Sequence, residues 1–335
     1  MEQQRNLWDW NNEFSWSKYN ESQMKEKTIF MQLLREVCNL IEQPPHSKGR
    51  KPVVYADMIY ALALKNYLSF SSRRIHSDLK LAKELNFIDK EFHFNTLLKY
   101  LEEPSLKLIL KELIEISALP LKQIELDFAI DATGFGTSKF TRWFDVKHGN
   151  QNARRREFRK CHAMCGVKTN IITSVEVTEG YTHDSTQFEG VVKRTFANWN
   201  VKEVSADKGY SSRKNLKLIS ELGAIPYIPF KKNVTGKRVK NHTLGIWGIM
   251  YNYFNEHKEE FAKHYHKRSN VESVFSMIKA RFGNNLRCKK QISQDNEILL
   301  KCLCHNLCCL VQEIFLNNIN INFKKCAEVY VAHKH

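Results

Sequence analysis

The stretch YHKRSNVESVFSMIK, residues 265–279, carries Tyr265, Arg268, Glu272 and Lys279. It holds no Pro or Gly, and Val271, Val274, Phe275 and Ile278 recur at helical spacing. At roughly 100° per residue, the four polar residues of one helix project into an arc of about 60°, with most of the apolar set turned toward a core. An acid able to hold a metal, flanked by cations able to hold phosphates, suits phosphodiester chemistry. A solvated helix face laced by charge pairs uses the same residue types, so the test is whether further acids stand upstream at the ends of strands.

Two places qualify. Ile124–Ile130, IELDFAI, alternates like a buried strand and runs into Asp131-Ala132-Thr133-Gly134. Val201–Ala206, VKEVSA, runs into Asp207-Lys208-Gly209. An aspartate that closes a strand and meets a glycine turn is well placed to face a cleft. Asp127 lies on the same strand face as Asp131, and the pattern alone leaves both open.

The spacing Tyr-x2-Arg-x3-Glu-x6-Lys resembles the signature of the DDE-type insertion-sequence transposases. That resemblance selects Asp131, which stands in an Asp-x-Thr-Gly context, and implies that Asp131, Asp207 and Glu272 form one catalytic cluster. It implies two divalent ions, Mg²⁺ or Mn²⁺, held by those three acids. Arg268 and Lys279 would hold DNA phosphates, with Tyr265 assisting by hydrogen bond or stacking. The implied partners are terminal inverted repeats and target DNA, and the implied assembly is a homodimer in a synaptic complex. The interval from Asp207 to Glu272 is too short for the β-rich insertion of some relatives, and a compact helical connection over Trp247–Lys263 is expected instead.

The elements around these residues read as two blocks. Residues 1–118 pattern as helices, with spans near Glu21–Ile41, Val54–Phe70, Ser71 to about Leu85, and from Asn95 to the stop at Pro104. Short helices with tight polar connections suggest a helix-turn-helix-like DNA-binding domain. Ser71 and Ser72 suit N-caps, and Arg73 and Arg74 in the following turn suit phosphate contact. After Leu119-Pro120 the pattern changes to strands: 124–130, 142–147, 160–167, 171–177, 201–206 and 224–230, the last marked as an edge by Pro226 and Pro229. Strands first, then helix, strand, helix, strand, helix, is the order of an α/β RNase H-like domain over 121–318, expected as a mixed five-stranded sheet with flanking helices. A polar tail, 319–335, is expected to fray.

Composition agrees. Lys plus Arg number 52 against 36 acids, a net charge of +16, and 42% of residues are hydrophobic. A folded protein with that excess points to a polyanion, nucleic acid before membrane, since neither an apolar run of spanning length nor a basic amphipathic anchor is evident. Arg154, Arg155 and Arg156 form a basic loop suited to phosphates. The opening MEQQRNLWDWNNEF has no secretory pattern, and nine cysteines, four of them crowding 302–309, read as reduced thiols of a cytoplasmic protein. Cys161, His162 and Cys165 invite a zinc site, but they lie in a strand pattern and no second pair follows. Asp184 with Gln187 resembles a capping box, with a place beside the metal site as the alternative. Two rival classes share these features: a structure-selective nuclease of the same fold, and a domesticated DNA-binding protein, which need not keep all three acids.

Overall fold

A ten-residue strand, β1 (Asp127–Gly136), forms the centre of the sheet in the computed structural model, which describes residues 15–43, 45, 46, 49, 52–137, 158–234 and 245–332. Its first half, Phe128-Ala129-Ile130, is buried on both faces, as an inner strand requires. β2 (Phe158–Gly166) and β3 (Ile172–Glu179) follow as an antiparallel meander, and β4 (Glu203–Ala206) and β5 (Ile225–Tyr227) join on the other side in parallel. The order is β3-β2-β1-β4-β5, a mixed five-stranded sheet whose short outer strand carries Pro226. The expected strand at 142–147 and the residues Arg154, Arg155 and Arg156 lie outside the described residues.

Twelve helices are described: α1 (Trp16–Cys38), α2 (Tyr55–Tyr67), α3 (His76–Glu84), α4 (Phe94–Leu101) and α5 (Leu106–Ala118) precede the sheet. α6 (Asp184–Asn198) and α7 (Arg213–Glu221) lie between strands, and α8 (Ile246–Glu256), α9 (Lys258–Tyr265), α10 (Ser269–Phe282), α11 (Gln291–Leu316) and α12 (Phe323–Ala332) complete the chain. The helix expected from Ser71 starts at His76. Ser71 Oγ instead accepts from Arg74 N (3.3 Å) in a preceding turn, leaving Arg73 and Arg74 exposed.

α11 is the axis of the helical layer and packs against α1, α2, α5 and β3. It corrects one expectation: by length and a mean hydropathy of 1.5 it could cross a membrane, but 83% of that window is buried inside the protein. The fraying expected of 319–335 is also corrected, over 323–332. α12 docks on α5 through Phe323 and Tyr330, whose hydroxyl donates to Glu115 (2.9 Å).

Candidate active site

The carboxylates gather where the β1–β4 seam ends. Parallel pairing stops at Ile130↔Ala206, so Asp131 and Asp207 are the first residues beyond it on neighbouring strands. Asp207 closes β4 and caps the 3₁₀ turn Lys208–Tyr210, its Oδ1 accepting from Lys208 N at 2.6 Å. Asp131 does not close its strand, contrary to the pattern. β1 continues because β2 pairs with it as far as Gly136↔Phe158, and because Gly136 exchanges backbone hydrogen bonds with Asn284 and Leu286. Asp131 therefore sits at the rim on the β4 side while remaining tied to β2.

Residues 265–279 lie across this rim, though not as one helix. Tyr265 ends α9, His266–Arg268 form a 3₁₀ turn, and α10 begins at Ser269. Val271, Val274, Phe275 and Ile278 are buried as the periodicity required, while Glu272 is more than half exposed. Three cations of the segment meet one face of β1 in order. Lys267 Nζ donates to Asp127 Oδ2 (2.7 Å), Arg268 Nη1 to Asp131 Oδ2 (2.6 Å), and Lys279 Nζ to Thr133 Oγ1 (2.6 Å). Arg268 Nη2 also donates to Glu272 Oε1 (2.6 Å), and its guanidinium lies 5.9 Å from the Tyr265 ring. One arginine thus bridges two of the three acids. Beyond Gly283, in the left-handed region at φ +83°, the chain turns back to the end of β1.

Burial pushes the Asp131 carboxyl above its ordinary value; Ala132 N–H and Arg268 pull the other way, while Asp207 and Glu272 add to the rise. Burial lowers Lys279, which stands over the Phe135 ring at 5.5 Å. Like charges crowded in a partly dry rim are relieved by a cation, and three carboxylates are the hard donors that Mg²⁺ or Mn²⁺ takes. The donor set fits. In this conformation the guanidinium has the central place, and among the described residues no group of three or more His, Cys, Asp or Glu side chains is arranged to hold an ion.

Asp127 is resolved from Asp131 by its partners. It stands in register with Glu203 at the start of the seam, and Lys267 Nζ spans both, reaching Glu203 Oε1 at 2.5 Å. His264 Nδ1 lies 2.7 Å from Glu203 Oε2, its ring stacked on Tyr227 at 4.2 Å. Sequence reasoning missed this cluster. A signal existed, since Asp127-x3-Asp131 and Glu203-x3-Asp207 repeat one acid spacing on two strands.

Asp184 is not the cap. His183 Nδ1 accepts from Ser185 N (3.3 Å), while Asp184 Oδ1 stands 2.7 Å from Lys160 Nζ and 3.5 Å from His162 Nδ1. Burial raises the Tyr210 phenol, and the charges of Asp184, Asp131 and Asp207 add to the rise. Cys161, His162 and Cys165 do not converge. Cys161 is buried in the core near the Cys302 thiol, and His162 Nε2 lies 2.9 Å from Thr178 Oγ1. All nine cysteines are free thiols. Arg73 lies far from the acids in sequence, in the α2–α3 turn, stacked on Phe94 at 4.6 Å.

A family described as the transposase DDE domain matches residues 122–307. The probable transposase for insertion sequence element ISA1214 of Archaeoglobus fulgidus is 24% identical over 298 residues, covering 87% of this chain and 86% of that protein. The solved synaptic complex of piggyBac transposase with hairpin DNA aligns over 91% of this chain and 77% of that one, at 11% identity and a TM-score of 0.42.

Proposed function

The chain belongs to the transposase DDE-domain family, and on that footing we propose that it binds the ends of an insertion sequence, cleaves them and joins them to target DNA at one site. The observation that supports this is that Asp131 and Asp207 follow the last pair of the β1–β4 seam while Arg268 bridges Asp131 and Glu272, with Lys279 on Thr133 of the same strand. The strand order, with β4 and β5 parallel to β1 and β2–β3 an antiparallel meander, supports an RNase H-like catalytic domain.

Asp131, Asp207 and Glu272 would hold two divalent ions, Mg²⁺ or Mn²⁺. Such ions activate a water on one side of a phosphodiester and stabilise the leaving oxygen on the other. The chain's own part is positional. Arg268 offers a planar fork for a phosphate, Lys279 a point charge beside it, and Tyr265 a ring on the same side. When a freed 3′-hydroxyl replaces water as nucleophile, the same groups hold the same phosphate geometry, so hydrolysis and strand transfer need only one site. Arg73 and Arg74, exposed in the α2–α3 turn, would contact end DNA in the 1–118 block, and Arg154, Arg155 and Arg156 would add nonspecific attraction. The working form would be a homodimer on paired ends, in a reducing cytoplasm where nine free thiols are stable.

The test is Mg²⁺-dependent nicking and strand transfer on a labelled end duplex, wild type beside Glu272→Gln. The variant keeps shape and helix propensity but loses the charge. It should bind the duplex and neither cleave nor join; cleavage at the wild-type rate would end the assignment of Glu272. Nicking without joining by the wild type would favour a nuclease of the same fold.

A further inference from the structure

The first pair of the β1–β4 seam holds an ion cluster that the chemistry above does not use. Asp127 and Glu203 are directly opposite each other on parallel strands, and like charges so placed push the strands apart. Lys267 Nζ sits between them at 2.7 and 2.5 Å, and His264 closes the other Glu203 oxygen at 2.7 Å. Side chains of Lys267, Asp127 and Glu203 are about a third, a third and a tenth exposed, so the pair is screened on one side only. Lys267 is also the neighbour of Arg268 in the 3₁₀ turn that interrupts the signature segment.

Two consequences follow from one ammonium. It offsets the opposed charges at the start of the seam, whose far end sets Asp131 against Asp207, four residues or about 13 Å along each strand. It also pins the turn from which Arg268 reaches Asp131 and from which α10 presents Glu272. A 3₁₀ turn between two helices has poor hydrogen-bond geometry of its own. Its other ties nearby are Asn270 Nδ2 to Val167 O (2.7 Å) and a Ser269 Oγ bond to His266 O within the turn (2.8 Å). The Arg268 bridge itself cannot serve as the anchor, because the proposed chemistry needs that guanidinium on a phosphate.

We infer that Lys267, clasped by Asp127 and Glu203, is a positioning residue for the reaction: it holds the 3₁₀ turn on the β1–β4 seam so that Glu272 stays beside Asp131 and Asp207 while Arg268 engages DNA. This rests on the assignment of the three acids made above. The clasp acts on the rate of the chemical step rather than on DNA affinity, because the Lys267 ammonium is taken up by Asp127 and Glu203 at the opposite end of the seam from Asp131 and Asp207.

Three variants separate positioning from plain stability. Lys267→Met leaves Asp127 and Glu203 opposed, and should lower both the melting temperature and the single-turnover cleavage rate at saturating end duplex. Lys267→Arg keeps the charge and should retain most of the rate. The triple variant Asp127→Asn, Glu203→Gln, Lys267→Met removes the repulsion together with the clasp. It should melt near the wild type yet cleave at least tenfold more slowly, with the DNA concentration for half-maximal rate unchanged. Recovery of the rate along with the melting temperature would overturn the inference, leaving Lys267 a neutralising charge only. A wild-type rate in Lys267→Met, or a loss confined to DNA affinity, would overturn it too. Glu272→Gln in the same assay keeps the two assignments apart: if it is inactive while the triple variant cleaves normally, only the clasp fails.

Discussion

At each end of the β1–β4 seam the chain sets carboxylates against a cation from the same 3₁₀ turn, but the balance of charge differs. At the start, Asp127 and Glu203 share Lys267, with His264 on the remaining Glu203 oxygen. At the far end, Asp131, Asp207 and Glu272 have Arg268, which touches two of them. The first sets two carboxylates on one ammonium and ties the turn to the sheet. The second sets three carboxylates near one guanidinium that touches two of them, and under the proposed function that excess of acid is what would take metal and phosphate. The same residue types, four positions apart on the same strands, thus hold a structure in one place and are poised for chemistry in the other. The difference is a count of charges.

The sharpest way to break this comparison is to neutralise one aspartate at each end. Asp131→Asn should abolish cleavage, by roughly a thousandfold or more, the scale on which loss of one member of a catalytic unit acts. Asp127→Asn leaves Lys267 paired with Glu203 and should cost about 1 kcal/mol or less of stability, as a partly exposed pair does, with cleavage down only a few-fold. End-duplex cleavage and thermal melting of both variants read this out, and equal losses of activity would erase the contrast.

A smaller effect tests the missing charge directly. Arg268→Gln removes the cation that bridges Asp131 and Glu272, so Mn²⁺ should bind the DNA-free protein more tightly, by about tenfold or 1.4 kcal/mol. Titration followed by Mn²⁺ electron paramagnetic resonance measures it. Unchanged or weaker binding would mean that the arginine does not stand in the ion's place.

Away from the seam, Arg73→Ala with Arg74→Ala should weaken end binding and flatten its salt dependence, by about 0.9 in log–log slope for each phosphate left without its cation. Binding isotherms at several salt concentrations would show it, and an unchanged slope would remove these two residues from the DNA interface.

The pH at which such comparisons are made matters, because two buried histidines are coupled to folding. Burial pushes His162 and His305 down to about 4 from 6.5. The unfolded chain then binds more protons than the folded one between those values. Stability from both groups is complete above pH 6.5 and drains away as pH falls toward 4. Replacing both by Gln should reduce the acid slope of the melting temperature over that window while leaving the order of the seam variants unchanged.

Much of this was legible in the chain itself. Helical spacing placed Val271, Val274, Phe275 and Ile278 in the core and turned Arg268, Glu272 and Lys279 the other way, because one face of a helix repeats every three to four residues. Alternation located β1, β2, β3 and the short edge strand with Pro226, and Asp207 came from where such a pattern met glycine, whereas Asp131 was chosen over Asp127 by the family resemblance. Local pattern could not see across the sheet. A period of two puts Asp127 and Asp131 on one face and makes them equivalent; only the register that sets Asp127 opposite Glu203, and ends at Ile130 opposite Ala206, tells a clasped acid from a rim acid. The continuation of β1 to Gly136 depended on Phe158 and on Asn284 and Leu286 from distant segments. The break at His266–Arg268 and the pairing of Asp184 with Lys160, rather than with its own helix, were likewise decided by neighbours remote in sequence. Residue type and spacing determine which groups can do chemistry, because they act through local geometry; which of them are free to do it depends on charges brought together from opposite ends of the domain.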